Sequence, residues 1–151
     1  MKAEIGVEAW AAVLRTRALL VRRFEAALRS ATGLPLATYD ILLVLKEAKG
    51  RMTVQALGEL TVVSRTRVSR IVDEMEATGL VVRRRNPVDR RSSFVELTAR
   101  GRTALRRAAP VYLGAIRAHF TDHLTLSEAR TIQAALAKVL EAESDHSYVR
   151  S

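Results

Sequence analysis

The chain has 151 residues, no cysteine and a formal net charge of +9. The missing cysteines exclude disulfides and thiolate metal sites, and no apolar run reaches the ~18 residues that cross a membrane. The strong positive charge predicts an anionic partner such as a nucleic acid, and arginine, which supplies most of that charge, suits bidentate contacts to phosphate and guanine.

A long helix is predicted at the start of the chain. Apolar residues recur every three or four positions between residues 7 and 31, and Gly33 is placed to end the helix. About 25 residues would make a helix ~38 Å long, which is more easily buried against a second copy than alone. Glu4 and Glu8 interrupt any apolar N-terminal core, so we expect no signal peptide and a cytoplasmic protein.

Two further helices and a turn are predicted next. Residues 36–48 form a second helix, and Thr53 caps a short third helix that ends at Leu60. Ser64 is a suitable N-cap for a fourth helix that ends before Gly79. The buried face of this fourth helix is expected to hold Val68, Ile71, Val72 and Met75; its polar face holds Thr66, Ser69, Arg70 and Asp73, with Arg65 and Arg67 on the flanks. A short helix and a longer one with a polar N-terminal half make a helix-turn-helix over residues 53–78.

A basic β-hairpin is predicted directly after the fourth helix. Residues 80–85 and 92–97 read as strands, and Asn86-Pro87-Val88-Asp89 supplies the turn. Residues 51–52 are expected to be a short extended segment. Eight arginines lie between Arg65 and Arg91, against four acidic residues. A helix-turn-helix followed by a hairpin is a winged helix.

Two more helices follow the hairpin. Thr98 caps a fifth helix expected to reach about Asp122 and to kink at Pro110. Thr125 and Glu128 form a capping box for a sixth helix, and the tail from Ser144 is expected to fray. The predicted fold is therefore mainly α with a small β-hairpin wing, in a single chain (1–151). The winged helix-turn-helix (36–98) lies between dimerisation helices (5–32 and 99–143). A two-fold dimer would place two recognition helices ~34 Å apart, one turn of DNA.

Two short motifs resemble the MarR family of bacterial transcriptional regulators. The family's wing reads Asp-x-Arg, then Leu-Thr-x-x-Gly at the next helix, and this chain has Asp89-Arg90-Arg91 and Leu97-Thr98-Ala99-Arg100-Gly101. Residues 57–60 and 68–70 also resemble the family's helix-turn-helix. The resemblance implies a homodimer formed by the first, fifth and sixth helices. It also implies a palindromic operator, with a recognition helix in each major groove and a wing at each minor groove.

The DNA-binding residues follow from this arrangement. Base readout is expected from the first half of the recognition helix, phosphate contacts from its middle and the first wing strand, and minor-groove contacts from the wing arginines. The full predicted set is Ser64, Arg65, Thr66, Arg67, Ser69, Arg70, Arg84, Arg90 and Arg91. Asp89 either orients the wing by pairing with an arginine or is an ordinary turn aspartate. Single arginines could instead be solvated or paired internally, for example Arg70 with Glu74.

A ligand pocket is suggested by a narrower resemblance, to the urate-responsive branch of the family. The matching positions hold Trp10, Asp40, Arg70 and Arg83. Such a set suits a flat anion such as urate or a phenolic compound, which would displace Asp40 from Arg70 or Arg83 and shift the recognition helix. Alternatives stay open: Trp10 as a dimer-core residue, Asp40 as a structural residue near a helix N-terminus, and Arg70 as a DNA contact.

Metal and enzyme chemistry have little support in the sequence. His119 and His123 have a metal-chelating spacing, and Asp122 and His146 could add ligands, but surface histidines are the simpler interpretation. No Ser-His-Asp order, carboxylate pair or glycine-rich phosphate loop stands out, and no cofactor is expected. The predicted function is a ligand-responsive, DNA-binding repressor. The rivals are a nonspecific or architectural DNA-binding protein and a helical enzyme or metal protein.

Overall fold

The computed structural model of the chain describes residues 1–61, 65–89 and 91–147. Within these residues the helices are α1 (Lys2–Thr32), α2 (Leu36–Glu47), α3 (Val54–Leu60), α4 (Arg65–Ala77), α5 (Ala99–His119) and α6 (Leu126–Ser147). The strands are β1 (Arg51–Thr53), β2 (Val81–Arg85) and β3 (Ser93–Leu97). The chain divides into two compact units, Met1–Leu113 and Gly114–Ser151, with the boundary inside α5.

The first helix is longer than predicted and begins at Lys2 rather than near Val7. Glu4 lies in its first turn, where the helix dipole favours a negative charge, and pairs with the N-terminal amine at 3.3 Å. Gly33 ends the helix as predicted, with φ at 73°, a value that glycine adopts without strain. Glu25 then reaches across the turn and accepts the backbone N–H of Leu36 at 2.6 Å, which satisfies an orphan donor at the start of α2.

The core of the first unit lies among α2, α3, α4 and the sheet. The predicted face of α4 is confirmed: Val68, Ile71, Val72 and Met75 are all buried. Leu42 and Leu57 supply fully buried side chains from α2 and α3. Thr53 caps α3 as predicted, because its hydroxyl accepts the N–H of Ala56 at 3.2 Å. The predicted cap of α4, Ser64, lies outside the described residues.

The wing is part of a three-stranded antiparallel sheet with strand order β1-β3-β2. Strands β2 and β3 form the predicted hairpin, in which Val81 pairs with Leu97 and Arg85 with Ser93. The short extended segment predicted at Arg51 is the third strand, β1, paired with β3. Val95 and Leu97 point into the core, as their alternation predicted. The mainly helical winged-helix fold is confirmed.

The start of α5 explains why a threonine stands one residue and a glycine four residues after Leu97, the last residue of the wing. The Thr98 hydroxyl accepts the N–H of Gly101 at 3.0 Å and lies 2.9 Å from the carbonyl oxygen of Leu80, to which it can donate. A Cβ at position 101 would overlap that same carbonyl oxygen and lie 2.8 Å from the Leu97 side chain. The Leu-Thr-x-x-Gly motif is therefore a close-packed joint between the wing and α5.

The second unit contains the end of α5, a short 3-10 turn over Thr121–His123, and α6. The fifth helix ends at His119, three residues before the predicted end, and continues through Pro110 as one helix. The capping box is confirmed, since Thr125 and Glu128 exchange backbone-to-side-chain hydrogen bonds of 2.8 and 3.3 Å. Helix α6 extends to Ser147 and so includes the first four residues of the tail that was expected to fray from Ser144.

No single helix in the described part of the chain is both long and apolar enough to cross a membrane. Helices α1 and α2, bent by 85° at their junction, meet that criterion together, by length and composition only.

Candidate nucleic-acid interface

The solvent-facing side of α4 carries the predicted recognition residues. Thr66, Arg67 and Arg70 are exposed opposite the buried face, and Ser69 is half-buried. The internal pair between Arg70 and Glu74, considered as an alternative to DNA contact, is not formed. Among the side chains that the structure describes, neither Arg67 nor Arg70 has a hydrogen-bond or ion-pair partner. Three residues apart on a helix, they lie side by side and present two uncompensated guanidinium groups. Ser64 and the side chain of Arg65 lie outside the described residues.

The tip of the wing is organised by Asn86, a buried residue that the sequence marked only as a turn former. Its side-chain oxygen accepts the N–H groups of Val88 and Asp89, at 3.0 and 3.3 Å, and its amide donates to the Ser92 hydroxyl at 2.8 Å. The Asp89 carboxylate accepts the backbone N–H of Arg91 at 3.0 Å. Asp89 forms no ion pair with any arginine whose side chain is described, so its observed contact is that of a turn aspartate.

The wing arginines differ in how they are held. Arg84 lies 3.6 Å from Glu96, which also faces Arg51 at 3.7 Å, and all three side chains are in contact with solvent. Such exposed pairs are weak and leave Arg84 available to another anion. The side chain of Arg91 is exposed next to the fixed turn, while Arg90 lies outside the described residues.

Arg83 joins the wing to the recognition helix. Its backbone N–H donates to Glu76 at 2.8 Å, and its guanidinium contacts both Glu76, at 3.3 Å, and Asp73. The sequence assigned Arg83 to a ligand pocket and did not identify this pairing. The pairing could have been anticipated from two acidic residues on α4, which lie seven and ten residues before Arg83 in the sequence.

The four residues predicted to hold a flat anion are not joined by direct contacts in the described structure. Arg83 is neutralised by Asp73 and Glu76, and Asp40 forms no ion pair with a described residue. Arg70 and Trp10 are both exposed, Trp10 by 60%. Asp40 therefore contacts neither Arg70 nor Arg83 in this structure, and the contact that a ligand was predicted to break is not formed.

Asp40 instead lies in a half-buried acidic and aromatic cluster. Burial, and after it the neighbouring Glu25 carboxylate, raises the pKa of Asp40 above its ordinary value. Burial also raises the pKa of Tyr112, and the charge of Asp40 adds to that shift. The Tyr112 ring packs against Tyr39 at 4.7 Å and edge-on against Phe24 at 5.6 Å.

The histidines of the fifth helix and the turn after it are exposed. His119 ends α5 and His123 closes the 3-10 turn. Asp122 is exposed between them, and the side chain of His146 is outside the described part of the structure. Within the described residues, no group of three histidine, aspartate or glutamate side chains is arranged to hold a metal ion.

Comparisons with known proteins agree on a transcriptional regulator. A model of the MarR family matches residues 32–92. An uncharacterised HTH-type transcriptional regulator from Bacillus cereus is 29% identical over 103 residues, which cover 68% of this chain and 67% of that protein.

Solved structures extend the similarity over nearly the whole chain. AbsC, a MarR family transcriptional regulator from Streptomyces coelicolor, is 33% identical with a TM-score of 0.81, covering 91% of this chain and 93% of AbsC. Sco3205, a MarR family transcriptional regulator from the same organism solved in complex with DNA, is 29% identical with a TM-score of 0.81, covering 89% and 85%. These similar proteins are transcriptional regulators and not enzymes.

Proposed function

Since the chain belongs to the MarR family of transcriptional regulators, we propose that it binds a palindromic operator as a homodimer and represses transcription from it. Its place of action is then the bacterial cytoplasm. The related Sco3205 was solved in complex with DNA, which supports DNA as the partner of this chain as well.

The observation that carries the proposal is the pair of guanidinium groups on α4 that have no partner among the described side chains. Arg67 and Arg70 project from the exposed face of a helix whose opposite face is wholly buried, so they cannot serve the core. Arginine at such positions reads guanine in the major groove through a bidentate contact worth ~1–3 kcal/mol of discrimination, or neutralises a phosphate. We assign base contacts to Arg65, Thr66 and Arg67, and phosphate contacts to Ser69, Arg70 and Arg84.

The wing completes the proposed interface. Arg90 and Arg91 are assigned to the minor groove, where a narrow A·T tract attracts a guanidinium. The Asn86 and Asp89 hydrogen bonds fix the turn on which Arg91 stands. Ser64 is assigned to a phosphate near the helix N-terminus.

The homodimer is supported by apolar side chains that the single chain leaves exposed. On α1 these are Ile5, Val7, Trp10, Leu14, Leu19 and Val21; on α6 they are Leu126, Ile132, Leu136, Val139 and Leu140. Monomeric proteins rarely expose apolar surfaces of this extent, and a second copy of the chain is the partner we propose for these helices. Trp10 is assigned to this dimer surface.

A small aromatic anion is proposed as the signal that releases the DNA. The urate-type residues have little support as its binding site, because an anion could reach Arg83 only after Asp73 and Glu76 had moved away. Thermal shift with urate and with salicylate, on the wild type and on Trp10→Ala and Arg83→Ala, tests that set. A ligand response that is the same in all three proteins removes it.

Selection of bound sequences from random DNA, followed by footprinting, tests DNA recognition. We expect a two-fold symmetric motif and a protected site spanning two half-sites about one helical turn apart. Arg67→Ala should relax the selected sequence, while Arg130→Ala, which removes an exposed arginine from α6, should leave it unchanged. Equal affinity for all sequences, falling steeply with salt, would instead identify a nonspecific or architectural protein.

A further inference from the structure

Four side chains form a charged network on the outer face of the sheet, the face that points away from the core. Glu96 lies on the central strand β3, two residues from Phe94 and on the same side of the strand. Val95, between them, is fully buried on the opposite side. The register places Arg51 of β1 directly beside Glu96, and Arg84 of β2 directly beside Phe94. Glu96 therefore has an arginine on each neighbouring strand, the first directly opposite and the second on a diagonal.

The two arginines share the Glu96 carboxylate. The Arg51 guanidinium lies 3.7 Å from Oε1, and the Arg84 guanidinium lies 3.6 Å from Oε2. Both distances exceed those of hydrogen bonds, and the side chains of Arg51 and Arg84 are 59% and 65% exposed, so both pairs are weak. To reach Glu96, the Arg84 side chain extends back along the sheet, away from the tip of the wing. Arg84 is therefore held loosely, in a position that it can leave.

Arg51 has a second contact that anchors it. Its guanidinium lies over the ring of Phe94, 4.5 Å from the ring centre, which is a cation–π contact. Phe94 is half-buried on the central strand, so the ring is a fixed platform. When Arg84 turns to another anion, Glu96 keeps Arg51 as a partner and its charge stays partly neutralised. The network thus has one anchored arginine and one that can be released.

We propose that Glu96 competes with a DNA phosphate for Arg84 and so limits how strongly the wing binds the DNA backbone. Arg51 acts through Glu96: by pairing with the carboxylate in the complex, it reduces the repulsion between Glu96 and the phosphate. Both are positioning residues, and neither belongs to the set of DNA contacts assigned above. The inference rests on the proposed DNA-binding function, because it needs Arg84 to contact a phosphate.

Glu96→Gln tests the competition, because it removes the charge and keeps the shape of the side chain. Fluorescence anisotropy is measured on the selected operator and on a random-sequence duplex of equal length. Since the homodimer has two wings, we expect both duplexes to bind about three- to tenfold more tightly, with a steeper dependence on salt. Glu141→Gln, which makes the same change in net charge at an exposed position of α6, should alter neither affinity nor salt dependence. An unchanged affinity of Glu96→Gln overturns the proposal.

The same substitution in an Arg84→Gln protein shows whether Glu96 acts through Arg84. Arg84→Gln alone should weaken binding to both duplexes, because it removes a phosphate contact from each wing. Adding Glu96→Gln should then give almost no gain, since the competition has lost its object. A full gain in the Arg84→Gln background would mean that Glu96 repels DNA directly, and this result also overturns the competition.

Arg51→Gln is measured with and without Glu96→Gln. We expect about threefold weaker DNA binding when Glu96 is present, because its carboxylate has lost the anchored partner, and no change when Glu96 is replaced. An equal loss in both backgrounds would show that Arg51 itself contacts DNA, which contradicts its assignment as a positioning residue.

The two duplexes separate this inference from the proposed function. If selection yields no operator while the random-sequence duplex still shows the pattern above, operator recognition is wrong and the role of Glu96 stands. If the wild type prefers its operator and Glu96→Gln changes neither affinity nor salt dependence, the role of Glu96 is wrong and the function stands.

Discussion

Arg83 contacts Glu76 twice, once through its backbone N–H at 2.8 Å and once through its guanidinium at 3.3 Å. The first contact fixes where β2 starts relative to α4, and the second, with the added contact to Asp73, fixes the direction of the side chain. The wing and the recognition helix are therefore held together by charged hydrogen bonds as well as by the apolar core. DNA that engages both elements meets a single pre-organised surface.

Arg83→Ala should loosen this connection. The Arg83 side chain is only 26% exposed, so its hydrogen bonds to charged groups are partly shielded, and we expect the free energy of unfolding to fall by about 1–3 kcal/mol. Urea denaturation at fixed protein concentration measures the change. Arg85→Ala, two residues along the same strand, removes an exposed side chain and should change stability by less than about 0.5 kcal/mol. Equal losses in the two variants would show that the Arg83 contacts do not stabilise the fold.

Gly101→Ala should be strongly destabilising. The added methyl group would overlap the carbonyl oxygen of Leu80, a backbone atom that cannot move without displacing the wing. We expect a loss of more than about 2 kcal/mol in the free energy of unfolding. Gly114→Ala is the matched control, since it lies on the same helix with no atom within 4 Å of the new methyl group. That substitution should raise stability by up to about 1 kcal/mol through helix propensity. A tolerated Gly101→Ala would show that the joint is not close-packed.

The elements that the sequence predicted best are those set by local pattern. The alternation of Val95 and Leu97, the spacing of Val68, Ile71 and Met75, and the capping box at Thr125 all depend on neighbours within a few residues. The contacts of Arg83 were missed because they join α4 to β2, and a charge pattern does not say which of several nearby acids an arginine will meet.

Asp40 should make stability depend on pH in a defined direction. Its pKa in the folded protein is raised above the ordinary value of 3.8, so the folded state favours the protonated form. The stabilisation from that proton is complete below 3.8 and is lost as pH rises through the higher folded-state pKa. Asp40→Asn, which stays neutral, should therefore have a higher Tm than the wild type at neutral pH.

The pH profile of that difference is the decisive measurement. The gap in Tm between Asp40→Asn and the wild type should shrink as pH falls through the raised pKa of Asp40, because the protonated Asp40 is also neutral. Glu25 is present in both proteins, and its contacts with Leu36 and Arg29 do not involve the Asp40 side chain. A gap that stays constant across the titration would show that the Asp40 carboxyl is not the group responsible.

Arg91→Ala should weaken operator binding without unfolding the protein. The Arg91 side chain is exposed, and the hydrogen bond to Asp89 uses its backbone N–H, which alanine retains. Because the proposed homodimer has two wings, the substitution removes two cationic contacts, which should lower affinity by about tenfold or more and reduce the slope of log affinity against log salt by about 2. Fluorescence anisotropy over a salt series measures both quantities. An Arg91→Ala protein that binds the operator with unchanged affinity and slope would remove the wing from the interface.

Leu136→Arg should separate the proposed homodimer. Leu136 lies on the apolar face of α6 with Ile132 and Leu140, and a charge there would be buried without a partner in the dimer, at a cost of several kcal/mol. We expect the mass from sedimentation equilibrium to fall from twice the chain mass toward the 16.7 kDa of one chain. Lys138→Ala, at an exposed position on the same helix, should leave the mass unchanged. Because operator affinity depends on two linked recognition helices, Leu136→Arg should also lose tight DNA binding, and full operator affinity in a monomeric variant would contradict the dimer.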